Sequence, residues 1–295
     1  MKVSIITPYY NGRHFIEDAV NSVLMQTYED FEMIIVNDAS PDMPMEFLGQ
    51  LAGRDKRIKL LNHEKNRGIS AARNTAIMQA EGDCIALLDQ DDLWLPDKLQ
   101  LQIDYLKDHR ERGLVFCNYY RIDKVGKITG QGKKCKTVVG TSLESTLINL
   151  FMKNRITACS VMFRRECLDA VGLFDESLIG GTDDYDMWLR IAGQYQIGYI
   201  DEPLVKRRSH GENTSTKFKE RGMLDHLSII EGIAEKFPIL KKYKSERLSK
   251  IYYNLGRYYI KRGSRSESIR NFRDCIRCTP LKLKAYLYLA QAFVK

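Results

Sequence analysis

Cys84-Ile85-Ala86-Leu87-Leu88-Asp89-Gln90-Asp91-Asp92 passes from an apolar run straight into a carboxylate cluster. A short continuous apolar run reads as a strand buried on both faces. The same change occurs twice upstream. Val3-Ser4-Ile5-Ile6-Thr7 leads into Pro8-Tyr9-Tyr10-Asn11-Gly12, and Met33-Ile34-Ile35-Val36 leads into Asn37-Asp38-Ala39-Ser40-Pro41-Asp42. Ile58 to Leu61 and Leu114 to Cys117 supply two further strands. Between them, Phe15, Ala19, Val20, Val23 and Leu24 recur at helical spacing behind Asn11, a candidate N-cap. Residues 44–52 and 69–79 read as helices, and Pro96 opens another that runs to about Arg110. Strands alternating with amphipathic helices predict an α/β fold: a Rossmann-like, mostly parallel sheet with helices on both faces. Ligands of such sheets bind beyond the carboxyl ends of the strands, where all three polar clusters fall.

Asp89, Asp91 and Asp92 would repel one another if buried together. A hard divalent cation, Mn2+ or Mg2+, relieves that repulsion through carboxylate oxygens and also bridges diphosphates. The alternative is a solvated acidic turn capping the helix near Pro96. A second cluster stands in Gly180-Gly181-Thr182-Asp183-Asp184-Tyr185-Asp186-Met187-Trp188-Leu189-Arg190. A carboxylate at a helix N-terminus is stabilised there, and beside a substrate hydroxyl it can act as general base; plain N-capping is the other reading. Asp38 either meets a base or ribose or lies in an Asx-turn of Asn37-Asp38-Ala39-Ser40. Arg67 and Arg73 flank Gly68 at a helix start, where either can face phosphate or base. His210, after Lys206-Arg207-Arg208-Ser209, is a candidate metal ligand or phosphate contact.

Glycines 126, 130, 132 and 140 with Lys133, Lys134 and Lys136 suggest a mobile basic loop. Strands are expected at 161–163 and 197–200, with a helix at 184–195. From about 217 the pattern is purely helical. Tyr252, Leu255, Gly256 and Tyr259 recur 34 positions later as Tyr286, Leu289, Ala290 and Phe293, a tetratricopeptide-like echo, or else a plain helical hairpin.

Charge divides the 295 residues unevenly: 1–202 carry 24 Lys and Arg against 30 Asp and Glu, whereas 203–295 carry 22 against 8. The basic part suits an anionic lipid, a phosphorylated acceptor or an acidic protein surface. Seven scattered cysteines argue against a disulfide framework, and Cys275 and Cys278 lack the partners of a zinc site. No apolar run reaches the length of a membrane span, and the N-terminus does not read as a signal peptide. A cytoplasmic location is expected, peripheral at the inner face of the membrane if the basic part meets lipid.

Together these stretches resemble the inverting family-2 glycosyltransferases of the GT-A fold. Residues 3–11 resemble that family's first strand and loop, and residues 34–40 its second. Asn66-Arg67-Gly68-Ile69-Ser70-Ala71-Ala72-Arg73-Asn74 resembles its N-x-G-x-x-x-A-R-N helix. Residues 88–94 are similar to its D-x-D segment, and residues 183–190 to its E-D segment, with Asp183 where Glu is usual. The resemblance covers about residues 1–210. It implies a nucleotide site at Thr7, Pro8, Tyr9, Asp38, Arg67, Asp89 and Gln90, and a metal site at Asp91, Asp89 and His210. It implies donor-sugar and acceptor contacts at Arg73, Asp183 and Trp188, and Asp184 as the base that deprotonates the acceptor hydroxyl.

The expected organisation is a GT-A domain over 1–215 and a basic helical extension over 216–295, tetratricopeptide-like from about 249. The expected function is inverting transfer from a nucleotide-diphosphate sugar, UDP favoured, to a saccharide or lipid-linked acceptor in surface polysaccharide or glycoconjugate synthesis, with no nucleic-acid partner. A nucleotidyltransferase would need a Gly-rich basic loop after the first strand, and Pro8 to Arg13 is a poor cradle for a triphosphate. The other class is an inactive scaffold that binds through its helical C-terminus.

Overall fold

Successive residues of a strand point to opposite faces of its sheet. Accordingly Ile5, Met33, Ile35, Ala86 and Leu88 pack into one core, and Ile6, Ile34, Val36, Ile85 and Leu87 into another. The computed structural model describes every residue except 43, 44, 134, 136, 137, 212 and 295. Lys134 and Lys136 of the expected basic loop, and Pro44 at the expected start of the second helix, lie outside the described residues.

The first half runs β1 (Val3–Tyr9), α1 (Ile16–Leu24), β2 (Phe31–Asn37), α2 (Met45–Ala52), β3 (Ile58–Asn62), α3 (Ile69–Met78), β4 (Cys84–Leu87), β5 (Leu93–Trp94), α4 (Lys98–Asp108), β6 (Arg112–Ile122) and β7 (Ile128–Gln131). There follow α5 (Leu143–Met152), β8 (Val161–Arg164), α6 (Cys167–Val171), α7 (Asp183–Ala192) and β9 (Gln196–Arg208). The chain closes with α8 (Thr214–Lys217), α9 (Lys219–Lys236), α10 (Lys241–Arg262), α11 (Arg265–Cys278) and α12 (Leu283–Val294).

Among the described residues, the strands form one sheet in the order β3-β2-β1-β4-β8-β6-β9-β5, with β7 paired to β6. The α/β architecture matches expectation: β3, β2, β1 and β4 are parallel, with helices on both faces. One difference concerns β6, which does not neighbour β4. Antiparallel β8 lies between them, pairing Ile85 with Phe163 and Leu114 with Phe163. A short apolar run such as Val161-Met162-Phe163 carries no mark of its direction, so only the packed sheet reveals it. β6 and β9 also run on to Ile122 and Arg208, paired in parallel across three irregular steps. That extension carries the end of β9 to the acidic loop after β4.

Asn11 does not cap α1. It adopts φ 53°, its N–H donates to Ser40 Oγ at 2.8 Å, and the helix starts at Ile16 with no side-chain cap. The helix expected from Pro96 starts at Lys98. The core passes through residue 215 without a break. Ile229, Ile230 and Ile233 of α9, with Leu248, Ile251 and Leu255 of α10, share a core with Ile6 and Trp188. Among the described residues, α11 and α12 form a further cluster around Phe272, Cys275 and Ala285, joined by Tyr252, Tyr253 and Ile260 of α10. Among the described residues, no helix is long and apolar enough to cross a membrane.

Candidate active site

β4 ends in the core and its chain emerges as Asp89-Gln90-Asp91-Asp92 beside the tail of β9. Each of these four side chains has a different task. Asp89 Oδ1 accepts from Arg73 Nη2 at 2.9 Å. Gln90 pins the loop after β1: its Oε1 accepts the Tyr10 N–H and its Nε2 donates to the Tyr10 carbonyl, both at 2.8 Å. Asp91 Oδ2 meets His210 Nε2 at 2.8 Å and Asn213 Nδ2 at 3.1 Å. Asp92 is buried and accepts the Arg208 N–H at 2.7 Å. Burial pushes the Asp91 carboxyl up, the charge of Asp89 adds to this, and His210 opposes it. Burial raises Asp92 further, with the charges of Asp91 and Asp89 behind it.

The second acidic cluster arrives from the opposite side. Glycines 180 and 181 let the chain turn into α7, whose first residue, Asp183, is buried. Arg73, buried on α3, donates to Asp183 Oδ2 at 2.7 Å through Nη1 while its Nη2 holds Asp89. Its guanidinium also lies 5.5 Å from the Phe174 ring centroid. Burial alone would lower the Arg73 pKa, but Asp183 and Asp89 outweigh it and keep the side chain charged. Asp184 is ringed by protein atoms yet keeps an edge open to solvent. Burial, then the charge of Asp183, pushes its carboxyl up to about 7, with Arg73 pulling the other way. A carboxyl poised near neutrality with an open edge is suited to take a proton from a bound hydroxyl.

Asp38, at the end of β2, is buried and heavily engaged. Its Oδ1 accepts the Arg67 N–H at 2.8 Å and meets His63 Nδ1 at 2.7 Å, while its Oδ2 accepts the Gly68 N–H at 2.8 Å. It thereby holds the entry to α3, where Gly68 has φ 91°. The Asx-turn expected in Asn37-Asp38-Ala39-Ser40 is present, with Asn37 Oδ1 accepting the Ser40 N–H at 3.0 Å. The Arg67 guanidinium is exposed beside Glu176 at 3.4 Å.

Asp38, Arg67, Asp89, Asp91, Asp184 and His210 thus gather at the carboxyl edge of the sheet. The other expected contact residues are buried or engaged with protein groups. Trp188 is 0% exposed, set edge-on between Phe163 and Phe174. Tyr9 is fully buried and its hydroxyl donates to Asp42 at 2.8 Å. Thr7 is buried, and Pro8 alone of the three lies partly open. Arg73 holds Asp183 and Asp89 with Nη1 and Nη2, and Gln90 holds Tyr10 with its amide.

Among the described residues, no three Asp, Glu, His or Cys side chains converge as a metal cage. Asp91 and His210 nevertheless suit a hard cation. Neighbouring ligands of an octahedral ion bound at about 2.1 Å lie roughly 3 Å apart, close to the 2.8 Å between Asp91 Oδ2 and His210 Nε2. Ions of this class take one or two protein ligands and complete their shell with phosphate and water. Asp89 is the member of the expected set already bound to a cation, Arg73.

Several positioning residues escaped the sequence reading. Asn213 and Arg208 tether the acidic loop, and Arg208 Nε donates to the Asp91 carbonyl at 2.9 Å. Asp225 of α9 accepts the Gly180 N–H at 2.8 Å and the Arg221 Nε at 2.7 Å. Its signal was legible: Asp225 falls on the same helical face as Ile229 and Ile233, where a carboxylate needs a buried partner.

The family model described as Glycosyl transferase family 2 matches residues 4–171. The chain is 45% identical over 208 residues to the putative teichuronic acid biosynthesis glycosyltransferase TuaG of Bacillus subtilis, covering 70% of this chain and 78% of that protein. It is 33% identical over 217 residues to an uncharacterized glycosyltransferase of Rickettsia conorii, but spans only 35% of that relative's length. Among solved structures, S. aureus TarS 1-349 in complex with UDP-GlcNAc superposes with a TM-score of 0.70 at 21% identity, covering 99% of this chain and 89% of that one. The mannosyltransferase PcManGT of Pyrobaculum calidifontis, in complex with GDP-Man and Mn2+, gives 0.66 at 18% identity, covering 99% and 79%. At these identities the structural likenesses show the fold.

Proposed function

The chain belongs to glycosyl transferase family 2, and from this we propose that it transfers a sugar, with inversion, from a nucleotide-diphosphate donor to an acceptor hydroxyl. The observation that carries the reading is Asp184: a carboxyl pushed up to about 7, open on one edge, and braced through Asp183 and Arg73 to the acidic loop that holds Asp91. Asp184 takes the proton of the acceptor hydroxyl. The freed oxygen attacks the anomeric carbon from the face opposite the diphosphate, and the bond to the diphosphate breaks. No covalent link to the protein is needed. Asp91 and His210 would hold Mn2+ or Mg2+, whose charge offsets the negative charge that develops on the leaving diphosphate. Asp38 and Arg67 border the nucleotide end of the cleft.

UDP is the favoured nucleotide and a saccharide or lipid-linked glycan the acceptor class, in surface polysaccharide or glycoconjugate synthesis. The likeness to TuaG supports the polysaccharide reading. The antiparallel helices α10 to α12 read as a tetratricopeptide-like unit, since Gly256 lets Phe272 approach closely. The basic C-terminal region would make a peripheral contact, with an anionic membrane or a protein, at the cytoplasmic face.

Calorimetric titration of UDP with and without Mn2+, for the wild type and Asp91→Asn, tests the donor site. Metal-dependent binding that the variant loses is expected. Binding of UDP equally well without metal would overturn the role of Asp91 and His210. Failure of the wild type to bind UDP, TDP or GDP would overturn the transferase reading in favour of an inactive scaffold.

A further inference from the structure

α12 has two faces of unlike chemistry. Ala285, Tyr288, Leu289 and Ala292 pack inward, and the first three join the α11 cluster. Outward stand Leu283, Tyr286, Leu287 and Phe293, at 75%, 45%, 71% and 46% exposure, behind Leu281 at 88% in the preceding turn. Residues 283, 287 and 290 follow one another at helical spacing, so the apolar residues form a stripe rather than scattered points. Contiguous apolar surface of this kind marks an interaction site.

The charges beside the stripe identify its occupant. Residues 279–295 contain no Asp or Glu, while Lys282 and Lys284 flank the start of α12. On α11, Arg270, Arg273 and Arg277 form an exposed row one helix away. The row adjoins the stripe: the Arg273 guanidinium lies 5.9 Å from the Phe293 ring centroid, and Arg265 donates to the Phe293 carbonyl. The acidic residues of α11 are Glu267 and Asp274, the latter paired with Arg277 at 2.9 Å, so arginine prevails along the helix. An apolar stripe bordered by cations matches the boundary between anionic headgroups and acyl chains. There, leucine and phenylalanine enter the apolar side while guanidinium groups stay with the phosphates.

We infer that the outer face of α12, with the arginine row of α11, is a docking surface for an anionic lipid bilayer. This deepens the peripheral-contact part of the proposed function and needs no step of the transfer chemistry.

The test is co-sedimentation of the full chain with vesicles of phosphatidylcholine alone, and of phosphatidylcholine mixed with phosphatidylglycerol. Binding to the mixed vesicles only, weakened by salt, is expected. Replacing Arg270, Arg273 and Arg277 together by Ser should weaken it on the order of a hundredfold. Leu283→Ser with Leu287→Ser should weaken it roughly tenfold or more. Both variants should keep the wild-type circular dichroism and UDP affinity, which separates failure of this surface from failure of the donor site. No wild-type binding to mixed vesicles, or unchanged binding by the leucine variant, would overturn the inference. So would a wild-type dimer, seen by light scattering, that the leucine variant dissociates without any vesicle binding; the stripe would then belong to a second copy of the chain.

Discussion

Arg73 grips Asp183 and Asp89, 110 and 16 positions away, with the two ends of one guanidinium. Removing it would strand the buried carboxylate of Asp183, a loss of about 3–5 kcal/mol. Asp184 lies beside this pair, and its raised pKa has two consequences of opposite sign. A base must be ionised, so transfer should rise with pH to about 7 and level off above. Stability runs the other way. The folded carboxyl holds its proton between the roughly 3.9 of an unfolded aspartate and its own higher value, so stability falls as pH rises through that window. Asp184→Asn should therefore abolish transfer and yet melt above the wild type near about pH 8. Turnover and melting curves across pH check both, and a flat rate profile between acid and neutral pH would remove Asp184 as the base. At this scale the carboxylates were legible because clustered like charge demands an explanation by itself. Trp188, Tyr9 and Gln90 were not, because the direction of each side chain depends on what packs against its strand, helix or loop.

Elements position the base loop from outside the segment that the family model matches. α9 approaches the glycine turn so closely that a Cβ on Gly180 would lie 2.5 Å from the Gly222 Cα. Asp225 then fixes the turn through the Gly180 N–H at 2.8 Å. Asp225→Asn should cost about 1–3 kcal/mol of stability by leaving buried polar groups poorly paired. It should also lower kcat several-fold while UDP affinity holds, because Asp225 contacts Gly180, Thr182 and Arg221 rather than Asp91 or His210. Kinetics with calorimetry distinguish the outcomes: an equal loss of UDP affinity would mean that α9 supports the whole cleft. The element pattern itself was largely legible, since periods of two and 3.6 residues show in the apolar residues. The antiparallel course of β8 and the long tails of β6 and β9 were not, because strand direction and pairing have no local signature.

Across the molecule, the helical region contributes to two apolar clusters. α9 and α10 seal the core that holds Trp188, whereas α11 and α12 pack around Phe272. A chain ending after Arg262 should retain near-ultraviolet circular dichroism and UDP binding. One ending after Ser215 should expose Ile229's partners in the catalytic core and fail to fold. A folded 1–215 fragment would show that the shared core is dispensable. The sequence by itself determined the α/β class, the carboxyl-edge site and the two acidic clusters, because burial and charge patterns are local properties of the chain. Only the tertiary structure decided that one arginine joins those clusters, that His210 meets Asp91, and that α9 braces the base loop. Each contact spans a long stretch of chain, and the order of strands in the sheet, not the spacing of residues, brings its partners together.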